Sequence, residues 1–235
     1  MKKIETKGAG VNDIKQFVKM VESLGGAGKR RGLRDAFCDF VEFAFQSVSS
    51  KPDVGRVEKV LERYEQNEVV RFFEMAVLMN DGLTKAPRDF LGEVYMNIQI
   101  NQKKSLGQVF TPYHISRLMV ELTMGDEAEV RKAIEEKGFF AVQDPACGAG
   151  SMLIAAYETL KNMGVDTSRE VYFEGRDIDA LCCKMSIIQL TVLGVPARIV
   201  HGDTITGEIY DEWYTAACAN FPVFANGKAE KEVAT

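Results

Sequence analysis

The 235-residue sequence has five cysteines, with no CxxC pair and no Cys/His cluster at metal-ligand spacing. A disulfide framework and a zinc site are therefore excluded as organising features, and the thiols read as reduced, mostly buried residues. Histidine is almost absent, and nothing near His114 in the chain forms a triad or a metal set, so no metal is expected. Positive charge is not in excess: 29 Lys and Arg stand against 34 Asp and Glu, a net charge of −5. That excludes a surface that is basic throughout, so any contact with nucleic acid has to be local. No apolar run is long enough to span a bilayer, and Met1–Thr6 lacks the apolar core of a signal peptide. A cytoplasmic protein with no membrane partner is expected. Internal repeats and low-complexity tracts are missing too.

What is present centres on residues 139–154. An apolar run from Phe139 ends in Asp144, a turn with Gly148 and Gly150 follows, and an amphipathic stretch continues through Ala156 and Leu160. This reads as strand, Gly-rich turn and helix. An open parallel sheet binds ligands at the carboxyl ends of its strands, where such a turn lies. Gly148 and Gly150 remove two side chains where the backbone has to bend or let a ligand approach, and the next helix points its amides at the crevice. Asp144 disfavours a diphosphate there and suits a cationic ligand, so a sulfonium with an amino group fits better than a dinucleotide. Two further strands follow the same rule. Val171–Asp179 reads as a second strand ending in a carboxylate placed where a Rossmann-like unit holds a ribose, and Ala197–Asp203 ends in Gly-Asp, with a helix over 180–193 between them.

Everything before residue 100 reads as helix. Asn12 is the expected N-cap of a first helix carrying Ile14, Phe17, Val18, Val21 and Leu24. Lys29-Arg30-Arg31-Gly32-Leu33-Arg34 is the densest positive cluster, read either as a phosphate contact or as a solvated loop. Helices are expected over 35–48, in one stretch over 54–80, and over 89–98. The polar segment 101–107 is the best boundary, giving a helical domain over 1–106 and an α/β domain over 107–235. Beyond it, Thr111 as N-cap and Pro112 at the first helical position start a helix with Ile115, Leu118, Met119 and Leu122 inward. Ile209–Tyr214 and Ala216–Ala219 supply a fourth strand with its approach, and the polar tail after Asn226 is expected to fray.

Gly107-Gln108-Val109-Phe110-Thr111-Pro112, Asp144-Pro145-Ala146-Cys147-Gly148-Ala149-Gly150-Ser151, Asp177-Ile178-Asp179 and Gly202-Asp203-Thr204 together resemble the N6-adenine DNA methyltransferases of the type I restriction-modification kind. The resemblance implies a Rossmann-like S-adenosylmethionine-dependent methyltransferase domain with a partial sheet, behind an all-helical domain. It implies that Phe110 and Thr111 hold the methionine end of S-adenosylmethionine and that Asp144, followed by Pro145, faces its amino group. Gly148 and Gly150 would let the cofactor approach, Asp177 would bind the ribose, Ile178 would pack on the adenine and Asp203 would bind the adenine amino group. Capping of the following turns explains Asp177 or Asp203 singly, but not both beside the Gly turn.

The implied reaction is methyl transfer to adenine in double-stranded DNA. The exocyclic amine is a poor nucleophile, and the family's Asn-Pro-Pro-aromatic motif accepts its hydrogens and stacks on the flipped base. Here that place reads Asn220-Phe221-Pro222-Val223-Phe224, so Asn220, Pro222 and Phe224 are the candidate catalytic residues of an altered motif. A short α/β half leaves a sheet edge bare, to be covered by the helical region or by another chain. The implied partners are DNA and a restriction-modification subunit or a second copy. The alternative is a non-catalytic cofactor-binding module that regulates a complete methyltransferase.

Overall fold

The computed structural model describes residues 9–25, 31–101 and 110–221. The first part is helical: α1 (Ala9–Leu24), α2 (Leu33–Val48), α3 (Val54–Leu61), α4 (Gln66–Lys85) and α5 (Phe90–Asn101). The second is mixed: α6 (Tyr113–Thr123), α7 (Glu127–Lys137), β1 (Phe140–Asp144), α8 (Ser151–Asn162), β2 (Val171–Asp177), α9 (Ala180–Val192), β3 (Ala197–Gly202) and β4 (Ile209–Tyr214), ending in a short 3-10 helix, Ala216–Asn220. The boundary segment lies largely outside the described residues, as do Lys29 and Arg30 of the basic cluster and the tail.

The sheet runs β1-β2-β3-β4, with the first three strands parallel and β4 antiparallel to β3. Parallel crossovers are right-handed, so α8 and α9 lie on the same face. A Cβ added at Gly175 of β2 would sit 2.9 Å from Leu153 of α8 and 2.8 Å from Ile199 of β3, so no larger residue fits between helix and sheet. On the opposite face Arg198 bridges Glu174 and Glu212, at 3.2 and 2.7 Å.

The helical part packs behind α9. Lys184 of α9 pairs with Glu42 of α2, and Phe45 meets Trp213 of β4 edge-on at 5.1 Å. One buried cluster runs from Phe17, Phe37 and Phe40 through Phe90 and Leu91 to Leu153, Phe173 and Ile188. The helical region therefore backs α9 and does not cover the free edge of β1. That edge has no ladder partner among the described residues. A groove of about 390 Å³ runs along it, lined by Met119, Val120, Val142 and Met152 among others.

Several local expectations are corrected. Helix α1 already begins at Ala9, so Asn12 lies within it. The stretch 54–80 is two helices because a reciprocal capping box between Glu65 and Glu68 starts α4 afresh, satisfying amides that a continuous helix would have bonded internally. Tyr64 and Arg63 in the break both donate to Asp39 at 2.8 Å. Helix α6 starts at Tyr113 with Pro112 as its N-cap, and no side chain caps it. Helix α7 has only a short apolar stripe, Val130 and Ile134. Its signals are the Asp126/Glu129 capping box and the left-handed Gly138 at its end. Residues 216–220 form the 3-10 helix and not a strand.

The largest correction concerns α6. Its buried residues are Ser116 and Val120, while Ile115, Leu118, Met119 and Leu122 are exposed, Leu122 by 76%. The Ser116 and Ser151 hydroxyls hydrogen-bond at 2.8 Å, turning the face that carries Ser116 and Val120 onto α8. Leu122→Lys is accordingly expected to move the thermal midpoint by less than about 2 °C, since surface substitutions stay within about 0.5 kcal/mol. A midpoint far below the parent's would put Leu122 back in the core.

Candidate functional site

The three acid-tipped strands are neighbours, so parallel pairing brings Asp144, Asp177 and the Gly202-Asp203 turn to one end of the sheet. The Gly turn closes over that end. Gly148 and Gly150 have φ of +55° and +99°, a left-handed region that strains residues with a Cβ. The Gly150 amide donates to the Cys147 carbonyl at 2.8 Å, and the Cys147 amide donates to Arg176 of β2 at 2.9 Å. The turn is thereby stitched to the second strand.

Asp177 is the hub. Its two carboxylate oxygens accept from the Gly148 and Asp179 amides, each at 2.8 Å. Asp144 accepts from the Ala146 amide at 3.0 Å. Burial raises its carboxyl above the usual range, the Ala146 hydrogen bond pulls the other way, and the Asp177 charge adds to the rise. Asp203 lies in the open, and the Ile205 and Thr206 amides that bond its carboxylate lower its pKa. Asp177 and Asp203 thus both cap their own turns, and Asp177 in addition grips the Gly turn. The Thr204 hydroxyl donates to the Pro145 carbonyl, closing the rim between the first and third strands. Ile178 projects into solvent at 63% exposure, an apolar side chain beside a carboxylate.

Phe110 lies against the turn, its ring 3.3 Å from where a Cβ on Gly148 would stand, with Tyr95 of α5 at 5.7 Å behind it. Thr111 is exposed next to it. Cys147 is buried, and that burial holds its thiol well above the usual value, so it is no nucleophile at neutral pH.

The expected catalytic segment is not brought to these acids. Phe221 packs on Phe139 and Tyr172, each ring at 5.8 Å, and the Cys218 thiol donates to the Ala197 carbonyl. Phe139, Tyr172 and Ala197 stand at the starts of β1, β2 and β3, so Asn220 lies at the amino-terminal end of the sheet. At about 3.3 Å per residue, the length of β1 separates it from Asp144. Burying Phe221 in this small apolar cluster holds the segment there, which corrects the placement of Asn220 in the site. Pro222 and Phe224 lie outside the described residues. Asn220→Ala is expected to leave cofactor affinity and methyl transfer within about twofold of the parent, measured by calorimetry and labelled-methyl transfer. Loss of transfer with intact binding would return Asn220 to the reaction.

Residues that sequence reading passed over also reach the turn. Ser186 of α9 backs Gly150, its hydroxyl 2.8 Å from an added Cβ. Gln189, one helical turn further along, donates to the Ala149 carbonyl at 2.8 Å. Neither carries a motif signal, since a polar residue on the inner side of an apolar helix looks like any interruption of the stripe.

An open parallel sheet with a Gly turn and acids at its carboxyl ends defines a Rossmann-like nucleoside-cofactor fold. Its solved neighbours include a structure described as a class I S-adenosylmethionine-dependent methyltransferase from Listeria monocytogenes, with a TM-score of 0.50 and 17% identity over 86% of this chain and 56% of that one. The model of the N-6 DNA Methylase family matches residues 86–232, more than half of the chain, and the chain belongs to that family. Similar proteins include the type I restriction enzyme MpnII methylase subunit of Mycoplasma pneumoniae, 25% identical over 213 residues. Another is the MjaVIII methylase subunit of Methanocaldococcus jannaschii, 28% identical over 155 residues. The alignments cover 89% and 64% of this chain but only 36% and 23% of those relatives, so the chain spans about a third of their length or less.

Proposed function

We propose that this chain binds S-adenosylmethionine and transfers its methyl group to N6 of adenine in double-stranded DNA. The observation that carries the reading is the set of carboxylates around a left-handed Gly turn at the carboxyl ends of adjacent parallel strands, in a member of the N-6 DNA methylase family. The site's chemistry fits the cofactor. Burial, with a smaller contribution from the Asp177 charge, raises the Asp144 carboxyl, and a cationic ammonium and sulfonium would offset both. A Cβ at Gly148 would fill the space against Phe110. The cofactor, when bound, supplies an activated methyl on a positively charged sulfur.

The chain's own residues bind and orient. Asp144 takes the amino group, and Phe110 with Thr111 shields the methionine end, while Pro145 shapes the rim. Asp177 accepts from the ribose hydroxyls on lone pairs its two amide donors leave free. Ile178 covers the adenine face and Asp203 accepts from its amino group. Held this way, the cofactor would supply the methyl group, and the chain's own contribution would be positioning. Two relatives are methylase subunits of type I restriction enzymes, which supports the catalytic reading over a regulatory module and a partner subunit of a restriction-modification assembly. The β1 edge, without a ladder partner among the described residues, supports a second polypeptide, or a second copy, in that assembly. Among the described residues no helix is long and apolar enough to cross a membrane, in keeping with a cytoplasmic setting.

The decisive experiment is labelled-methyl transfer from S-adenosylmethionine to duplex DNA of mixed sequence, followed by nucleoside analysis. N6-methyladenine supports the reading, and saturable cofactor binding without any methylated base in the presence of co-expressed partner subunits overturns its transfer half. Affinity is expected to depend on pH through Asp144. Its carboxyl is raised, so the ionised form that holds the ammonium is lost as pH falls through a value above the ordinary carboxylate figure of about 4. The sign for folding is opposite: the raised value favours the folded state as Asp144 protonates. Calorimetry carried down in pH from neutral toward the carboxylate range should show weakening that Asp144→Asn removes, at a lower, pH-independent affinity.

A further inference from the structure

Gln189 of α9 is fully buried and uses its amide in three directions. Its carbonyl accepts from the Leu91 amide at 3.0 Å, and its NH2 donates to Asp89 Oδ1 at 3.0 Å and to the Ala149 carbonyl at 2.8 Å. Asp89, 3% exposed, also accepts from the Gly92 amide at 2.9 Å. Ordinary capping of α5 explains the Gly92 contact, and ordinary polar satisfaction explains the contact with Leu91. Neither explains why the remaining donor ends on Ala149, the residue between the two left-handed glycines. Ala149 is 1% exposed, so its carbonyl has to find a partner inside the protein. Helix α9 meets the turn with two side chains one turn apart: Ser186 fills the space under Gly150, and Gln189 holds the peptide before it.

We propose that Gln189 is a positioning residue for the cofactor turn and that Asp89 of the helical region sets its orientation, so that the N-terminal helices brace the Gly148–Gly150 geometry through one side chain. The inference rests on the cofactor reading above. A Gln amide that has lost either partner can rotate, and a turn holding two left-handed residues then relaxes toward conformations that fit the cofactor less well. The helical region thereby acts on cofactor affinity without touching the cofactor.

The test uses the full chain, with S-adenosylmethionine as the probe. Gln189→Met keeps side-chain bulk and removes both donors. It is expected to weaken binding at least tenfold and to raise the KM for S-adenosylmethionine by the same factor, with kcat within threefold. Amide hydrogen exchange over residues 148–151 should quicken while the rest of β1 and α8 stays protected. Asp89→Ser keeps a cap for α5 but is too short to reach Gln189, and is expected to weaken binding several-fold. Asp89→Asn, which still accepts from Gln189, should restore most of it. Binding within twofold of the parent and unchanged exchange in the turn for Gln189→Met would overturn the proposal. If that variant does not fold, Asp89→Ser binding as tightly as the parent overturns it instead. A parent chain that does not bind S-adenosylmethionine refutes the cofactor reading, and exchange in the turn then decides the brace alone.

Discussion

Asp177→Ala is expected to weaken S-adenosylmethionine binding by on the order of 100-fold or more, the largest loss of any single carboxylate in the site. Hydrogen bonds to a charged group contribute about 1.5–3 kcal/mol each, and about 1.4 kcal/mol is tenfold in affinity. A ribose offers two hydroxyls to this carboxylate. The substitution also frees the Gly148 amide, which Asp177 holds at 2.8 Å, so the turn loosens as its ligand contact disappears. The fold should survive, because β2 is embedded between β1 and β3 and the carboxylate lies at its exposed end. Calorimetry beside a thermal melt separates the two effects. Affinity within a few-fold of the parent would make Asp177 a turn-capping residue only and remove it from the ribose role.

Gly150→Val should be nearly as severe, for a different reason. At φ +99° a β-branched residue is a conformational outlier, with a left-handed penalty of about 1–2 kcal/mol. Its Cβ would also stand 2.8 Å from the Ser186 hydroxyl and 3.5 Å from that residue's Cα, and overpacking of this kind costs about 1–3 kcal/mol. Together these predict a loss of about 2–5 kcal/mol, or a thermal midpoint lower by about 5–15 °C for a chain of this size, with cofactor binding lost. Gly150→Ala in a Ser186→Gly background should recover part of the stability by removing the overlap but none of the backbone strain. A melt of the single and double variants tests that division. Equal midpoints would show that sterics at Ser186 are not involved.

Much of the α/β half was legible in the sequence because its signals are local. A strand that ends in an acid and a turn with glycines in sequence order announces its own geometry. Three such units in a row place their tips together, since parallel neighbours run the same way. Helix ends were less legible where two mechanisms competed. Thr111 looked like a cap, yet Pro112 occupies that position and α6 begins after it. The break before α4 was hidden by an apolar stripe that continues in phase across 62–65, and only the Glu65/Glu68 box reveals it. The apolar residues of α6 suggest one inward face, whereas a Ser–Ser hydrogen bond to α8 orients the helix.

The sequence by itself determined the fold class, the family and which residues end the strands, because periodicity, glycine conformation and strand-tip acids act within a few residues of one another. The tertiary structure alone decided where Asn220 lies, which side of α6 faces water, and that a glutamine of α9 and an aspartate before α5 meet beneath the Gly148–Gly150 turn. Those contacts join residues up to 100 positions apart. They depend on how helices pack behind the sheet and on which apolar pocket takes Phe221, and no short-range pattern encodes either.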